Sequence, residues 1–320
     1  MGGLAGWAVR LFGVLLMLSS LGYAAIRAPD RTLESLVPRW APPPSEFIEL
    51  GDQVVHMRDE GQQTDPAPLV LLHGTSSSLH TWEGWAEELK KTRRVISFDL
   101  PGFGLTGPAV SGDYRDEAYQ VFVLAMLDRL KLQHVVLAGN SLGGQIAWQL
   151  AALHPERVSA LILVDAGGQA VESQSVPDGF KLAQMPLLRH IGQYVLPRSF
   201  IERSVKNVYG DPSKVDGALV DRYFEMTVRE GNRDALGRRM DQRTPGKFIA
   251  LLPKIRQPTL ILWGARDRLI PIAAARVFAQ DIPGGRLVTF ETLGHVPQEE
   301  DAQATLVPVK TFLESINNKT

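Results

Sequence analysis

The stretch His134-Val135-Val136-Leu137-Ala138-Gly139-Asn140-Ser141-Leu142-Gly143-Gly144-Gln145 decides how the rest of the chain is read. Its first half, Val135 to Ala138, is a short apolar run of the kind found in a strand buried on both faces. From Leu142 to Leu153 the pattern is helical. Between the two, Gly139-Asn140-Ser141-Leu142-Gly143 spells G-x-S-x-G, which turns a strand sharply into a helix and lifts a serine hydroxyl into a cleft. Glycines flank that serine because side chains there would meet the neighbouring strand and helix. A buried strand feeding a helix in this way belongs to a sheet covered by helices.

The same rhythm continues outward. Phe47–Leu50 and Val54–Arg58 read as short strands around a Gly51-Asp52 turn, and Leu69–Leu72 is wholly apolar between Pro68 and Gly74. A helix from Thr81 to Lys91 leads to strand Val95–Phe98, which Pro101-Gly102 ends. Tyr119, Phe122, Val123, Met126, Leu127 and Leu130 follow helical spacing. Beyond the serine come strand Ala160–Val164, strand Thr259–Leu262, a helix near Ala273–Gln280, strand Leu287–Phe290 and a helix near Ala302–Ile316. Alternating strands and helices imply an α/β fold with a mostly parallel central sheet flanked by helices. Between Val164 and Thr259 no buried strand is legible, and that gap is too long for a loop. Tyr194, Phe200, Ile201, Val205, Val208, Tyr223, Phe224 and Met226 suggest amphipathic helices there. Residues 167–252 therefore read as a helical lid inserted over one end of the sheet.

Composition narrows the chemistry. The 34 basic and 35 acidic residues leave a net charge of −1, which gives no electrostatic reason to expect nucleic-acid binding. Cysteine is absent, removing disulfides, thiolate metal sites and cysteine nucleophiles together. The histidines and acidic residues show no ligand-like spacing, so neither a metal nor another cofactor is implied.

The first 40 residues differ from the rest. Leu11 to Ile26 is uncharged and mostly apolar, and as a helix it spans about 24 Å. Counted from Leu4 the span is about 34 Å, enough for a hydrocarbon core of about 30 Å. Residues 4–26 are read as a membrane anchor, within an N-terminal segment of residues 1–30. A cleaved signal is the rival reading, with Gly22 and Ala24 at cleavage spacing and a poor positive n-region. Either one puts the body outside the cytoplasm. Residues 31–45, ending in Pro42-Pro43-Pro44, read as a stiff extended spacer. The folded body is expected from residue 46 to residue 320, with Asn317–Thr320 a frayed tail.

A nucleophilic serine needs a base, and the base needs an orienting acid. His295, in Leu293-Gly294-His295-Val296-Pro297, follows strand Leu287–Phe290, and Asp267 follows strand Thr259–Leu262. Both therefore sit at the strand ends where ligands bind in open α/β sheets. Asp165, closing strand Ala160–Val164, is the alternative acid, although Ala166-Gly167-Gly168 after it suits a residue that fixes the start of the lid. The backbone N–H groups of Thr75 and Leu142 are the candidate oxyanion donors. His73 reads as turn-fixing, the Asp99 to Gly104 loop as structural, and so do His56, His134 and His154. His80 and His190 could line a cleft, but nothing in the sequence pairs them with Ser141.

With these motifs in order, the chain resembles the lid-bearing serine hydrolase branch of the α/β-hydrolase fold superfamily. His73-Gly74, Asp99 to Gly104, Gly139 to Gly144, Trp263 to Asp267 and Gly294-His295 carry the resemblance over about residues 46–316. It implies Ser141 as nucleophile, Asp267 as acid, His295 as base and Thr75 and Leu142 as oxyanion amides. Ser141 argues against the dehalogenating and epoxide-opening branches, which place aspartate there. Thr75-Ser76-Ser77-Ser78 departs from the glycine run of many lipases. The expected reaction is hydrolysis of a carboxylic ester or related small acyl substrate. A carbon–carbon bond hydrolase of ring-opened diketo acids and a non-catalytic protein on the same fold are the alternatives.

Overall fold

The computed structural model describes residues 2–185, 189 and 192–317. His190 and Asn318–Thr320 of the tail lie outside the described residues; Asn317 closes the last helix. The strands β1 (Ser45–Leu50), β2 (Gln53–Gly61), β3 (Leu69–Leu72), β4 (Arg94–Phe98), β5 (Val135–Asn140), β6 (Val158–Val164), β7 (Thr259–Gly264) and β8 (Arg286–Phe290) form one sheet. Their order is β1-β2-β4-β3-β5-β6-β7-β8. β1 and β2 make an antiparallel edge, and β4 to β8 run parallel with β3 among them. β2 continues past Arg58 because Asp59 and Glu60 still pair with Ile96 and Val95 of β4. Arg94 and Lys90 neutralise those two carboxylates. An apolar pattern cannot show such a polar strand end.

Among the described residues the helices in chain order are α1 (Gly2–Ile26), α2 (Leu33–Trp40), α3 (Glu83–Leu89), α4 (Asp116–Arg129), α5 (Leu142–Leu153), α6 (Asp178–Ala183), α7 (Arg198–Val208), α8 (Gly217–Thr227), α9 (Asn232–Gln242), α10 (Ala273–Asp281), α11 (Pro297–Glu300) and α12 (Ala302–Asn317). Alternate strand residues serve opposite layers. Val70 and Leu72 pack with Ile146, Trp148 and Phe278 on one face. Leu69 and Leu71 pack with Trp82, Trp85, Leu306 and Leu313 on the other. Burying both faces makes the central strands wholly apolar and holds their C-terminal ends in fixed positions. Helices α6 to α9 are inserted between β6 and β7, within the span 167–252.

The N-terminal region departs from expectation in one respect. α1 is solvent-facing over Gly6–Ala24, a span apolar enough and long enough to cross a membrane. The spacer after it is not simply extended: Leu33–Trp40 is a helix docked on the insertion. Leu33, Leu36 and Trp40 fall on one face, and Leu36 is fully buried against Leu105 and Met226. Arg39 pairs with Asp221 and Glu225, and the Trp40 indole donates to Glu225 at 2.5 Å. Only Ala41–Pro44 follows the proline-imposed break. Just upstream, Ala28 N–H donates to the Tyr194 carbonyl, and its side chain is buried with Leu196, Ile201 and Val205.

Candidate active site

Ser141 lies between β5 and α5 at φ 53°, ψ −113°. A non-glycine residue held there stores strain of order 1–3 kcal/mol, which the surroundings must enforce. They do so by close approach. A Cβ on Gly139 would lie 2.2 Å from the Gly143 carbonyl, and one on Gly143 would lie 2.1 Å from the Leu72 carbonyl oxygen. Ser141 N–H donates to Val164 O at 3.1 Å, and Ser141 O accepts from Gln145 and Gly167, both at 2.9 Å. The turn is thereby fixed against β6 and the start of the insertion.

His295 and Asp267, from the loops after β8 and β7, lie side by side. His295 Nδ1 donates to Asp267 Oδ2 at 2.7 Å, and both side chains are buried. Asp267 Oδ1 accepts the N–H groups of Leu269 at 2.8 Å and Ile270 at 2.9 Å. The carboxylate is therefore oriented before it meets the imidazole. Ser141 and His295 share the wall of one cavity. Thr75 and Leu142 line a second cavity together with Ser141. Leu142 opens α5, where a helix leaves its first N–H groups without helical partners.

Asp165 is close to this pair without replacing Asp267. Its side chain turns to β7, where Oδ1 accepts Gly264 N–H at 3.0 Å, and not to the insertion whose start it was expected to fix. Polar atoms of Asp165, Asp267 and His295 all lie within 4.8 Å of one another, a juxtaposition invisible in sequence spacing. Both carboxylate oxygens of Asp267 and Nδ1 of His295 are already engaged in hydrogen bonds. Burial, and then the charge of Asp267, pushes the Asp165 carboxyl well above the usual carboxylate range.

The pattern of one hydrolase family covers most of the chain. The α/β hydrolase fold family matches residues 67–192 and 209–302. The chain belongs to that family. As an α/β hydrolase it is 30% identical over 260 residues to a 2-hydroxy-6-oxo-2,4-heptadienoate hydrolase of Pseudomonas putida, covering 77% of this chain and 88% of the relative. It is 28% identical over 277 residues to Lipase 1 of Psychrobacter immobilis, covering 83% of this chain and 82% of the relative. In fold it resembles the crystal structure of a membrane phospholipase A described as a bacterial virulence factor. The TM-score is 0.74 at 24% identity, over 99% of this chain and 98% of that one.

Other positions in this α/β hydrolase act through neighbours. His73 Nδ1 donates to Gly74 O at 2.7 Å and its Nε2 accepts Leu100 N–H at 2.9 Å, so it fixes the turn as expected. Burial holds its pKa down. Asp99 accepts from Leu79 N, Leu105 N and His56 Nδ1, tying the loop to the antiparallel edge. Burial opposes its charge, but His56, followed by His73 and His80, outweighs that and keeps Asp99 ionised. His80 bonds Ser78 and the Trp40 carbonyl, away from the cavities of Ser141. His134 is exposed, and half-buried His154 lies beside Glu156. Asn140 is buried beside the serine. Its amide donates to Val164 O at 3.1 Å and His295 O at 2.9 Å, joining the loops that carry nucleophile and base. Glu300 accepts Gly210, Asp211 and Gly294 N–H groups, so the insertion is pinned beside His295.

Two cavities meet at Ser141. One, of about 90 Å³, has an apolar wall that includes Phe180, Ile201, Val205, Val208, Leu236 and Val296. The other, of about 190 Å³, has polar side chains including Gln145, Gln169, Gln184, Arg239 and Arg243, and no carboxylate in its wall. Arg239 is buried and paired with Asp116 at 2.8 Å. The Arg243 side chain has no carboxylate partner among the described residues.

Proposed function

We propose that this chain is a serine hydrolase that cleaves a carboxylic ester through an acyl-enzyme. One observation carries the reading: a serine on an enforced, strained turn shares a cavity wall with an imidazole whose far nitrogen is held by a carboxylate at 2.7 Å. In this reading Ser141 Oγ attacks the ester carbonyl carbon while His295 Nε2 takes its proton. Asp267 stabilises the imidazolium that forms. The oxyanion settles on the Thr75 and Leu142 N–H groups. As the tetrahedral intermediate collapses, His295 returns the proton to the departing alcohol oxygen. Water then attacks the acyl-enzyme, His295 again acting as base, to release the carboxylic acid and restore Ser141. No step calls on a metal or a cofactor.

The cavities suggest how substrate lies. The apolar cavity takes the acyl chain, and the polar cavity takes the alcohol portion, with Arg243 favouring an anionic group there. The similarity to Lipase 1 supports an ester. A second reading, hydrolysis of a carbon–carbon bond in a ring-opened diketo acid, has specific support in the 30% identical heptadienoate hydrolase. An unpaired arginine would equally suit a carboxylate substrate.

We also propose that residues 4–26 anchor the catalytic body, residues 46–320, at a membrane and outside the cytoplasm, with residues 167–252 as its lid. A cleaved signal is the alternative. The fold likeness to the membrane phospholipase A, which runs over almost the whole chain, is consistent with an anchor. The decisive experiment for the chemistry uses Ser141→Ala. Wild type should react with a serine-directed phosphonate and turn over short acyl esters. The variant should stay folded, lose labelling and lose several orders of magnitude in kcat. Activity within about tenfold of wild type would refute the role of Ser141, and turnover confined to diketo acids would favour the second reading.

A further inference from the structure

The geometry points to Asp165 as a positioning residue that keeps its proton and donates it to the Asp267 carboxylate. Asp165 is completely buried at φ 43°, a backbone conformation that is uncommon outside glycine. Its Oδ1 accepts Gly264 N–H at 3.0 Å, while its buried Oδ2 meets no N–H or O–H donor. Asp267, the neighbour on that side, is also a carboxylate, and an acceptor facing an acceptor is satisfied only if one carries a proton. Two carboxylates that close, away from water, do not both ionise.

Donor counting decides which one holds it. Asp267 receives three N–H groups, from Leu269, Ile270 and His295, all of which favour its ionised form. Asp165 receives one. Glu300, the other acidic group facing Asp165, accepts three backbone N–H groups and adds like charge. No lysine or arginine makes an ion pair with Asp165 among the described residues. The proton therefore belongs on Asp165 Oδ2. There it gives Asp267 a further hydrogen bond and fixes the carboxylate that orients His295. One negative charge, not two, faces the imidazolium that forms when Ser141 gives up its proton. The kinetic consequence rests on the serine hydrolase reading.

A protonated aspartic acid has asparagine as its near-isostere. In Asp165→Asn the amide oxygen can accept from Gly264 while the amide N–H donates to Asp267. Asp165→Leu keeps the size and removes the donor. Asp165→Leu is expected to lower kcat by about tenfold to a hundredfold, the usual weight of a hydrogen bond to a charged group, with KM little moved. The acid limb of its pH profile should move to higher pH, because an Asp267 with one donor fewer holds the protonated imidazole more tightly. Asp165→Asn should recover most of both effects. The infrared spectrum at neutral pH, which needs no turnover, should show a protonated carboxyl band that Asp165→Asn abolishes. Absence of that band in wild type would overturn the inference, as would an asparagine variant as impaired as the leucine variant. If Asp165→Leu does not fold, the band and the asparagine variant still decide. A band in a protein that hydrolyses no ester would refute the hydrolase reading and leave the proton where it is placed here.

Discussion

Replacing Asp267 by asparagine tests the orienting role of that carboxylate most sharply, because the structure dictates how the new side chain must sit. Asp267 Oδ1 is held by the N–H groups of Leu269 and Ile270, so an asparagine would keep its carbonyl oxygen there. Its amide N–H₂ would then face His295 Nδ1, where Oδ2 now accepts at 2.7 Å. Two donors cannot share that contact, so the imidazole must give up the Nδ1 proton and carry it on Nε2 instead. Nε2 is the atom that has to take the Ser141 proton. The substitution therefore supplies the wrong tautomer and removes the charge that stabilises the imidazolium. The expected loss is about 10⁴ in kcat, or about 5.5 kcal/mol of transition-state stabilisation. KM should change little, since Asp267 is buried behind His295 and does not line either cavity. The assay is kcat and KM on a soluble short-chain ester, with circular dichroism to check the fold. A loss below tenfold in a folded variant would refute this account of the base. A larger loss in Asp165→Asn than in Asp267→Asn would reassign the acid.

Three further outcomes follow from the cavities, the apolar N-terminal helix and the dock after it. For Arg243→Gln, the ratio of kcat/KM on an ester with an anionic leaving group to that on its neutral isostere should fall at least tenfold, and Arg243→Lys should keep part of the preference; an unchanged ratio would remove Arg243 from substrate recognition. Full-length protein should pellet with membranes and resist carbonate washing, and a chain starting at Ala28 should be soluble and active on soluble esters. A chain starting at Ala41 loses the buried Leu36 as well, so it should melt at a lower temperature; equal melting of the two shorter chains would show that α2 contributes nothing to stability.

Much of the fold was legible because both faces of the sheet are buried. Leu69–Leu72 and Leu260–Trp263 announce themselves as unbroken apolar runs, and loops at their C-terminal ends carry His73 and Asp267. Ser141 was legible from its glycines, whose absent side chains are required by contacts of 2.1–2.2 Å. What stayed hidden depends on neighbours distant in sequence. Helix α2 was masked by the prolines that follow it, and it owes its docking to Leu105 and Met226. The partnership of Asp165 with Asp267 depends on β6 lying beside β7, in a register that brings Val164 level with Leu262. The segment between those strands in sequence gives no sign of it.

The insertion itself has two different attachments, and they bear on how specificity divides. The end of α7 is fixed to the loop that carries His295: Val208 O accepts His295 N–H at 2.7 Å, and Gly210 and Asp211 donate to Glu300. Arg222 of α8 adds a part-buried pair with Glu299 at 2.5 Å. The apolar wall formed by Ile201, Val205 and Val208 is therefore built on the same backbone that positions the base, and a shift of one must disturb the other. The polar wall is tied elsewhere, through Arg239 of α9 to Asp116 of α4 and the Tyr114 carbonyl. Gln145 also donates to Asp116, so this attachment reaches α5 behind the nucleophile, and not the His295 loop. Changes at Arg243, one residue past α9, can thus alter what the polar cavity accepts while the geometry between Asp267 and His295 is kept. In the proposed reaction, the acyl side is coupled to catalysis by construction, and the leaving-group side is the more independent of the two.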